Sequence, residues 1–236
     1  MGKLIANMIG RNESSRFLEE VLSHLRPIVD TIVFTDDASD DDTLSIARKY
    51  GDYVYESIWD DPMFTRNESI LRTKSWENLE NHAEEGDWIL AIDCDEKLFN
   101  MKNDIAVKDI CNHTDAKVVN IRFVHMWSET HYRVDKLWKP TNSSRLFKYQ
   151  KDGKYRYAAL ACGAEPTYVA KEIANGKYLA DSGLVMQHLG YQRDEDKVSK
   201  HKRYMELDNG KFHNIDHLSS IIDEEITLVR WPEDRV

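Results

Sequence analysis

The chain has 236 residues, of which 41% are hydrophobic and 31% charged, enough apolar material for the core of one large domain. Its net charge of -10 argues against a protein that grips nucleic-acid phosphates over a broad basic face. No apolar run is long enough to cross a bilayer, and "MGKLIANMIG" lacks a signal-peptide core and cleavage site, so a soluble, cytoplasmic protein is expected.

In chain order, residues 4–9 read as a short apolar strand. Phe17, Leu18, Val21, Leu22 and Leu25 follow at helical spacing, and Pro27 ends that helix. Residues 31–35 ("TIVFT") predict a second buried strand. "DDASDDDT" then opens a helix carrying Leu44, Ile46 and Ala47, with Ser39 or Asp40 as its expected cap. A third strand is predicted at 53–56, a long helical region at 66–83, and a fourth strand, apolar throughout, at 88–92. The second half predicts strands at 117–127 and 144–149, a turn at 151–153, a strand within 177–188, and helices at 194–208 and 214–222. There is no repeat, low-complexity segment or Gly/Pro-rich linker, so one domain over 1–236 is expected.

Alternating short strands and helices imply an α/β fold with a parallel sheet covered on both faces. Ligands of such sheets bind beyond the carboxyl ends of the strands. Both acidic clusters, Asp36-Asp37 and Asp93-Cys94-Asp95, fall at such ends. A lone D-x-D is most often a solvated turn. Here an apolar, central-looking strand precedes it, and a second acidic strand tip accompanies it. Carboxylates in this setting suit Mg²⁺ or Mn²⁺, which usually take further oxygens from a substrate diphosphate. No Walker-type glycine loop offers another phosphate cradle.

Asp40 to Asp42 read as acids at a helix N-terminus. Asp37 lies too early for that and is free to meet a base edge or ribose. Arg66 can present a guanidinium fork to phosphate. His188 closes a strand before Gly190-Tyr191 and can face the same rim, although an ordinary packed histidine is the commoner case. His213 and His217 lack the Glu of H-E-x-x-H and read as structural. Trp127, His131, Tyr132, Arg133 and Trp138 are either a packed loop or a platform for sugar. Cys94, Cys111 and Cys162 show no metal-knuckle spacing.

Four stretches together, "MIGRNES", "VFTDDASDDDT", "FTRNESI" and "GDWILAIDCDE", resemble family 2 glycosyltransferases of the GT-A fold. "SRLFKYQKDGKYRY", "CGAEP" and "HLGYQRDEDKVSKHKRYMELD" look like a bacterial or phage-like branch of that family. The resemblance implies a single GT-A-type, Rossmann-like domain with a mostly parallel sheet, a mixed second half and a helical C-terminal tail. Residues 1–100 would bind a nucleotide-sugar, 101–192 the acceptor, and 193–236 form the tail. It implies a nucleotide-diphospho-sugar donor, a UDP-sugar foremost, and Mn²⁺ or Mg²⁺. Ile9 and Asn12 would lie near the nucleotide, Asp37 at base or ribose, and Asp93 at ribose or diphosphate. Asp95 would ligate the metal, with His188 as a further metal or diphosphate ligand. The family's usual Pro-x-Tyr-Asn start is replaced by Ile9-Gly10-Arg11-Asn12, which removes the tyrosine that would stack on the base.

The reaction implied is an inverting transfer to a hydroxyl, with Arg66 assisting at the phosphates and Glu165 of "CGAEP" as general base. Glu96 and Glu129 are the competing bases. Acceptors open to such an enzyme are glycans, lipid-linked groups, proteins and small molecules. DNA is disfavoured by charge, despite the basic face of Lys200, His201, Lys202 and Arg203. Two other readings stand beside this one. A nucleotidyltransferase would need a Gly-rich basic loop after the first strand, which "MIGRNESSR" matches poorly. An inactive sugar-nucleotide-binding protein sits poorly with intact Asp37, Asp93 and Asp95.

Overall fold

A computed structural model describes residues 2–101, 106–157, 162–208, 210–211 and 213–232. The first half alternates as expected. β1 (Leu4–Gly10) leads to α1 (Leu18–Leu25), β2 (Thr31–Asp36), α2 (Thr43–Tyr50), β3 (Tyr53–Tyr55), α3 (Glu68–Glu80) and β4 (Trp88–Ala91). These four strands run parallel in the order β3-β2-β1-β4. β1 is buried along its whole length because helices cover both sides. Its alternate residues point to opposite faces. Leu4, Ala6 and Met8 pack with Leu18 and Leu22 of α1, while Ile5 packs with Trp76 and Leu79 of α3.

The second half contains β5 (Glu96–Asn100), α4 (Val107–Asn112), β6 (Val118–His125), β7 (His131–Arg133) and β8 (Thr141–Lys148). α5 (Thr167–Ala174), β9 (Tyr178–Leu179), β10 (Leu184–His188), α6 (Asp194–Leu207), α7 (Ile215–Ser219) and β11 (Leu228–Arg230) follow. β8 runs antiparallel beside β4, and the sheet continues through β6 and β10 to β5, with β9 beside β6. β7 and β11 form a separate ribbon. The fold is therefore α/β with a large mixed sheet flanked by helices, its first half parallel.

Several elements escaped the sequence pattern, namely β5, α4, α5 and the β7–β11 ribbon. The last places a strand within the expected helical tail. The expected cap of α2 is corrected too. Asp42 is the N-cap and no side chain caps the helix. Ser39 and Asp40 instead bind Asn12 across the rim, through Asn12 N–H to Ser39 Oγ (3.1 Å) and Asn12 Nδ2 to Asp40 Oδ1 (2.7 Å). No helix among the described residues is long and apolar enough to cross a membrane.

One feature of the topology shapes the site. β4 and β5 have three strands, β8, β6 and β10, between them in the sheet, yet only residues 92–95 connect them. Four strand spacings span roughly 19 Å, about the full reach of so short a connection. The connection is not extended, because Glu96 N–H donates to Asp93 O at 3.2 Å and closes a turn. The sheet must therefore curl until its far edge returns beside the tip of β4. His24 of α1, bonded to Leu98 O at 2.8 Å, marks that return.

Candidate functional site

The curl encloses a cavity of about 460 Å³ at the carboxyl ends of β1, β2 and β4. Ile9, Asn12, Asp37, Asp93, Asp95 and His188 all line it, so the two acidic strand tips do converge on one space. α3 adds Glu68 and Arg72, β8 adds Arg145, and α6 adds Lys200 and Arg203.

At the β1 end, Gly10 allows close packing. A Cβ there would meet the Phe34 ring at 2.6 Å and Cys94 Sγ at 2.8 Å. Asn12 holds a left-handed backbone (φ 52°), which Asn tolerates better than most residues. Arg11 reaches across to the carbonyls of Asp37 and Ala38. Asp37 is 1% exposed, and its two oxygens accept the N–H groups of Met63 and Phe64, each at 2.8 Å. Its carboxylate fixes the loop that sets Phe64 against the cavity.

The 92–95 turn carries two differently held carboxylates. Asp93 faces Arg145 at 2.9 Å and Arg72 at 3.4 Å. Burial alone would raise its pKa, but those guanidiniums hold it down at about 2. Glu96, 1% exposed, accepts from Asp93 N–H at 2.9 Å and from Arg145 at 2.8 Å. Burial pushes its pKa up to about 8, with the negative Asp93 and Asp95 adding to the rise. Between them Cys94 turns into the core and donates to Ile9 O at 3.3 Å.

Asp95 is placed by β10, where Leu189 N–H donates to its carbonyl at 2.7 Å and His188 pairs in register with Glu96. Its Oδ2 meets Lys200 Nζ at 3.2 Å, His188 Nε2 at 3.4 Å and Arg16 at 3.7 Å. Against the cost of burial, Lys200, His188 and Arg16 hold Asp95 well below the usual carboxylate range. His188 is oriented from behind by His125, the two Nδ1 atoms lying 2.9 Å apart. Burial lowers the pKa of both imidazoles.

A divalent ion shared by Asp95 Oδ2 and His188 Nε2 would lie roughly 2.0–2.2 Å from each. The Lys200 ammonium stands 3.2 Å and 3.3 Å from those same two atoms. In this arrangement the positive charge against the expected metal pair is already the lysine's, and a divalent ion added there would meet its repulsion. No group of three His, Cys, Asp or Glu side chains among the described residues is placed to hold one either.

Four other expected residues lie outside the cavity lining. Arg66 is solvent-facing and pairs with Asp61 at 3.2 Å. Glu96 is sealed behind Asp93. Glu165 is half-buried in the 162–166 loop, near enough to act on Arg145 electrostatically. Glu129 sits in an exposed turn. Trp127, Arg133 and Trp138 are buried in a satellite core with Tyr191 and Ile221, which makes that segment packing and not a sugar platform.

Sequence reasoning missed Glu13, Arg16, Arg72 and Arg145. Glu13 lines the cavity and pairs with Arg16 at 3.0 Å. Burial outweighs that pairing and raises its pKa to about 7. Arg72 and Arg145 gave no signal because their partner Asp93 lies 21 and 52 residues away. Lys200 and Arg203 had one, a basic string with i,i+3 spacing on a predicted helix.

No family profile matches the chain, and no curated protein does. Among solved structures it is similar to glucosyl-3-phosphoglycerate synthase from Mycobacterium tuberculosis in complex with phosphoglyceric acid, at 16% identity and a TM-score of 0.36. That match covers 52% of this chain and 44% of the other. It is also similar to mannosyl-3-phosphoglycerate synthase from Rubrobacter xylanophilus, at 17% identity and a TM-score of 0.35, over 52% of this chain and 40% of the other. The chain thus spans less than half the length of either structure.

Proposed function

We propose that the chain is a GT-A-type glycosyltransferase of family 2 character, which moves a sugar from a nucleotide-diphosphate donor to a hydroxyl acceptor with inversion. One observation carries this reading. The acidic tips of β2 and β4 open into a single cavity that Arg16, Arg72, Arg145, Lys200 and Arg203 also line, with Asp93 and Asp95 paired to cations there. Such a space offers polar groups to a nucleoside and cations to a diphosphate. The parallel β3-β2-β1-β4 half joined to a mixed half supports the GT-A assignment.

The groups offered to the nucleoside are Ile9, Asn12 and Phe64. Phe64 supplies the aromatic face absent from the 9–12 stretch, and Asp37 acts by fixing it. Asp93, pinned by two guanidiniums yet still facing the cavity, offers its remaining lone pairs to the ribose hydroxyls. Transfer breaks the bond between the anomeric carbon and the diphosphate oxygen and forms a bond to the acceptor oxygen. The acceptor proton passes to a carboxylate, a step worth roughly 10²–10⁴-fold. Glu165 is the base suggested by the motif. Glu13 is the second candidate, since it lines the cavity and titrates near neutral pH.

The reading is tested by incubating the protein with UDP-, GDP-, CMP- and dTDP-sugars, following both melting temperature and nucleotide release. A stabilising donor that releases its nucleotide is expected, because ligand binding to the native state raises stability. Failure of every nucleotide and nucleotide-sugar to bind removes the proposal. Release of pyrophosphate from a nucleoside triphosphate would point to the nucleotidyltransferase alternative. Glu165→Gln and Glu13→Gln are to be compared side by side. The base is the one whose loss abolishes turnover while donor binding stays intact.

A further inference from the structure

The position of Lys200 has a chemical meaning that the acidic motif alone does not reveal. Its ammonium lies between Asp95 Oδ2 (3.2 Å) and His188 Nε2 (3.3 Å), over the ring of Tyr191 at 4.7 Å. This is a built site for one positive charge, with a carboxylate, an imidazole and an aromatic face around it. Tyr191 is stacked on Trp127 (5.3 Å), so the satellite core braces the site from behind.

Two further observations show that the chain is shaped around this group. A Cβ at Gly190 would overlap Lys200 Nζ and Asp95 Oδ2 and would crowd His188 Nε2 at 2.8 Å. Glycine at 190 leaves room for the three groups to meet as they do. The helix bearing Lys200 is also tied down at its N-terminal end. Arg193 donates to Ser15 O (3.0 Å) and Arg16 O (3.3 Å), and Asp196 accepts from Arg16 at 3.2 Å. One turn after Lys200, Arg203 lines the same cavity. It lies over the rings of Phe64 (5.7 Å) and Tyr204 (5.3 Å), and among the described residues no acid forms an ion pair with it.

We propose that Lys200 is the resident cation of this site and that, with Arg203, it receives the diphosphate, so that donor binding and transfer require no divalent metal. This rests on the nucleotide-sugar reading above and deepens it. As the anomeric carbon–oxygen bond breaks, the electron pair stays on the diphosphate oxygen. The tethered ammonium and the guanidinium neutralise that charge, the acceptor oxygen bonds to carbon, and its proton leaves to the carboxylate base.

Calorimetric titration with inorganic pyrophosphate and with UDP, in EDTA and then in Mn²⁺, tests the inference on the full chain. Wild type is expected to bind equally well in both. Lys200→Met, which keeps the aliphatic stem, is expected to lose at least about tenfold in affinity in EDTA. It should regain binding in Mn²⁺, because Asp95 and His188 are then free to chelate. Electron paramagnetic resonance of added Mn²⁺ supplies an independent readout, with no site in wild type and one site in Lys200→Met. If Lys200→Met does not fold, Lys200→Arg is the substitute, and it should keep binding in EDTA. Strict Mn²⁺ dependence of the wild type, or undiminished EDTA-resistant binding by Lys200→Met, overturns the inference while the glycosyltransferase reading stands. No binding of any nucleotide under either condition removes both.

Discussion

Arg145 sits between Asp93 and Glu96 and gives the two acids opposite fates. Asp93, held by a second arginine, stays charged, whereas Glu96 has only a share of Arg145 and is pushed toward its protonated form. Breaking such a buried pair by removing one partner typically costs about 3–5 kcal/mol. Arg145→Met should lose an amount in that range in urea unfolding. The Glu96 carboxyl has an ordinary pKa of 4.5 and one of about 8 in the fold. The native state therefore keeps a proton that the unfolded chain releases, and stability falls as pH rises across that window. Melting temperature should drop between pH 5 and pH 8 in the wild type and drop less in Glu96→Gln. Glu13 titrates in the same range but is common to both proteins, so the difference isolates Glu96. None of this was legible beforehand. The string "DCDE" shows three equivalent acids, and only the tertiary placement of Arg72, Arg145 and Lys200 tells them apart.

At the scale of elements, the parallel half was legible because its strands are apolar and its first two helices, α1 and α2, are amphipathic. Leu18, Val21, Leu22 and Leu25 pointed to the buried face of α1, and all four are buried. β5 was not legible, since "EKLFN" is short and lies against the acidic turn, where nothing in its pattern separates a strand from a loop. The role of Asp37 was hidden for a similar reason. A strand-tip acid looks free until the 56–67 loop is seen donating two backbone N–H groups to it. Hydrogen bonds to a charged acceptor are worth about 1.5–3 kcal/mol each. Asp37→Ala should therefore release that loop, seen as faster proteolysis between β3 and α3. It should also weaken nucleotide binding through Phe64. The α6 residues divide in the same way, for Lys200 and Arg203 face the cavity while Lys202 points outward beside Glu206 at 4.0 Å. The basic face that suggested a nucleic-acid acceptor is thus half committed to the site.

For the molecule as a whole, an acidic chain sets a group of cations around one interior cavity. Arg16, Arg72, Arg145, Lys200 and Arg203 surround the cavity of a protein with a net charge of -10. Anionic ligands should feel those cations at short range and the net negative charge of the chain at long range, so added salt should hardly weaken pyrophosphate binding and should speed its association. A stopped-flow series over ionic strength checks both signs. The four-residue connection from β4 to β5 has its own consequence at this scale. It is at once the acidic rim of the cavity and the stitch that holds the sheet's far edge in place, so the two cannot vary independently. Many sheet proteins diversify by exchanging rim loops on a scaffold that does not notice. This chain has no such modularity at residues 92–95. Lengthening that segment would let the sheet uncurl and take Asp95 and His188 together away from Asp93 at the tip of β4, and new specificity has to come from the walls contributed by other elements.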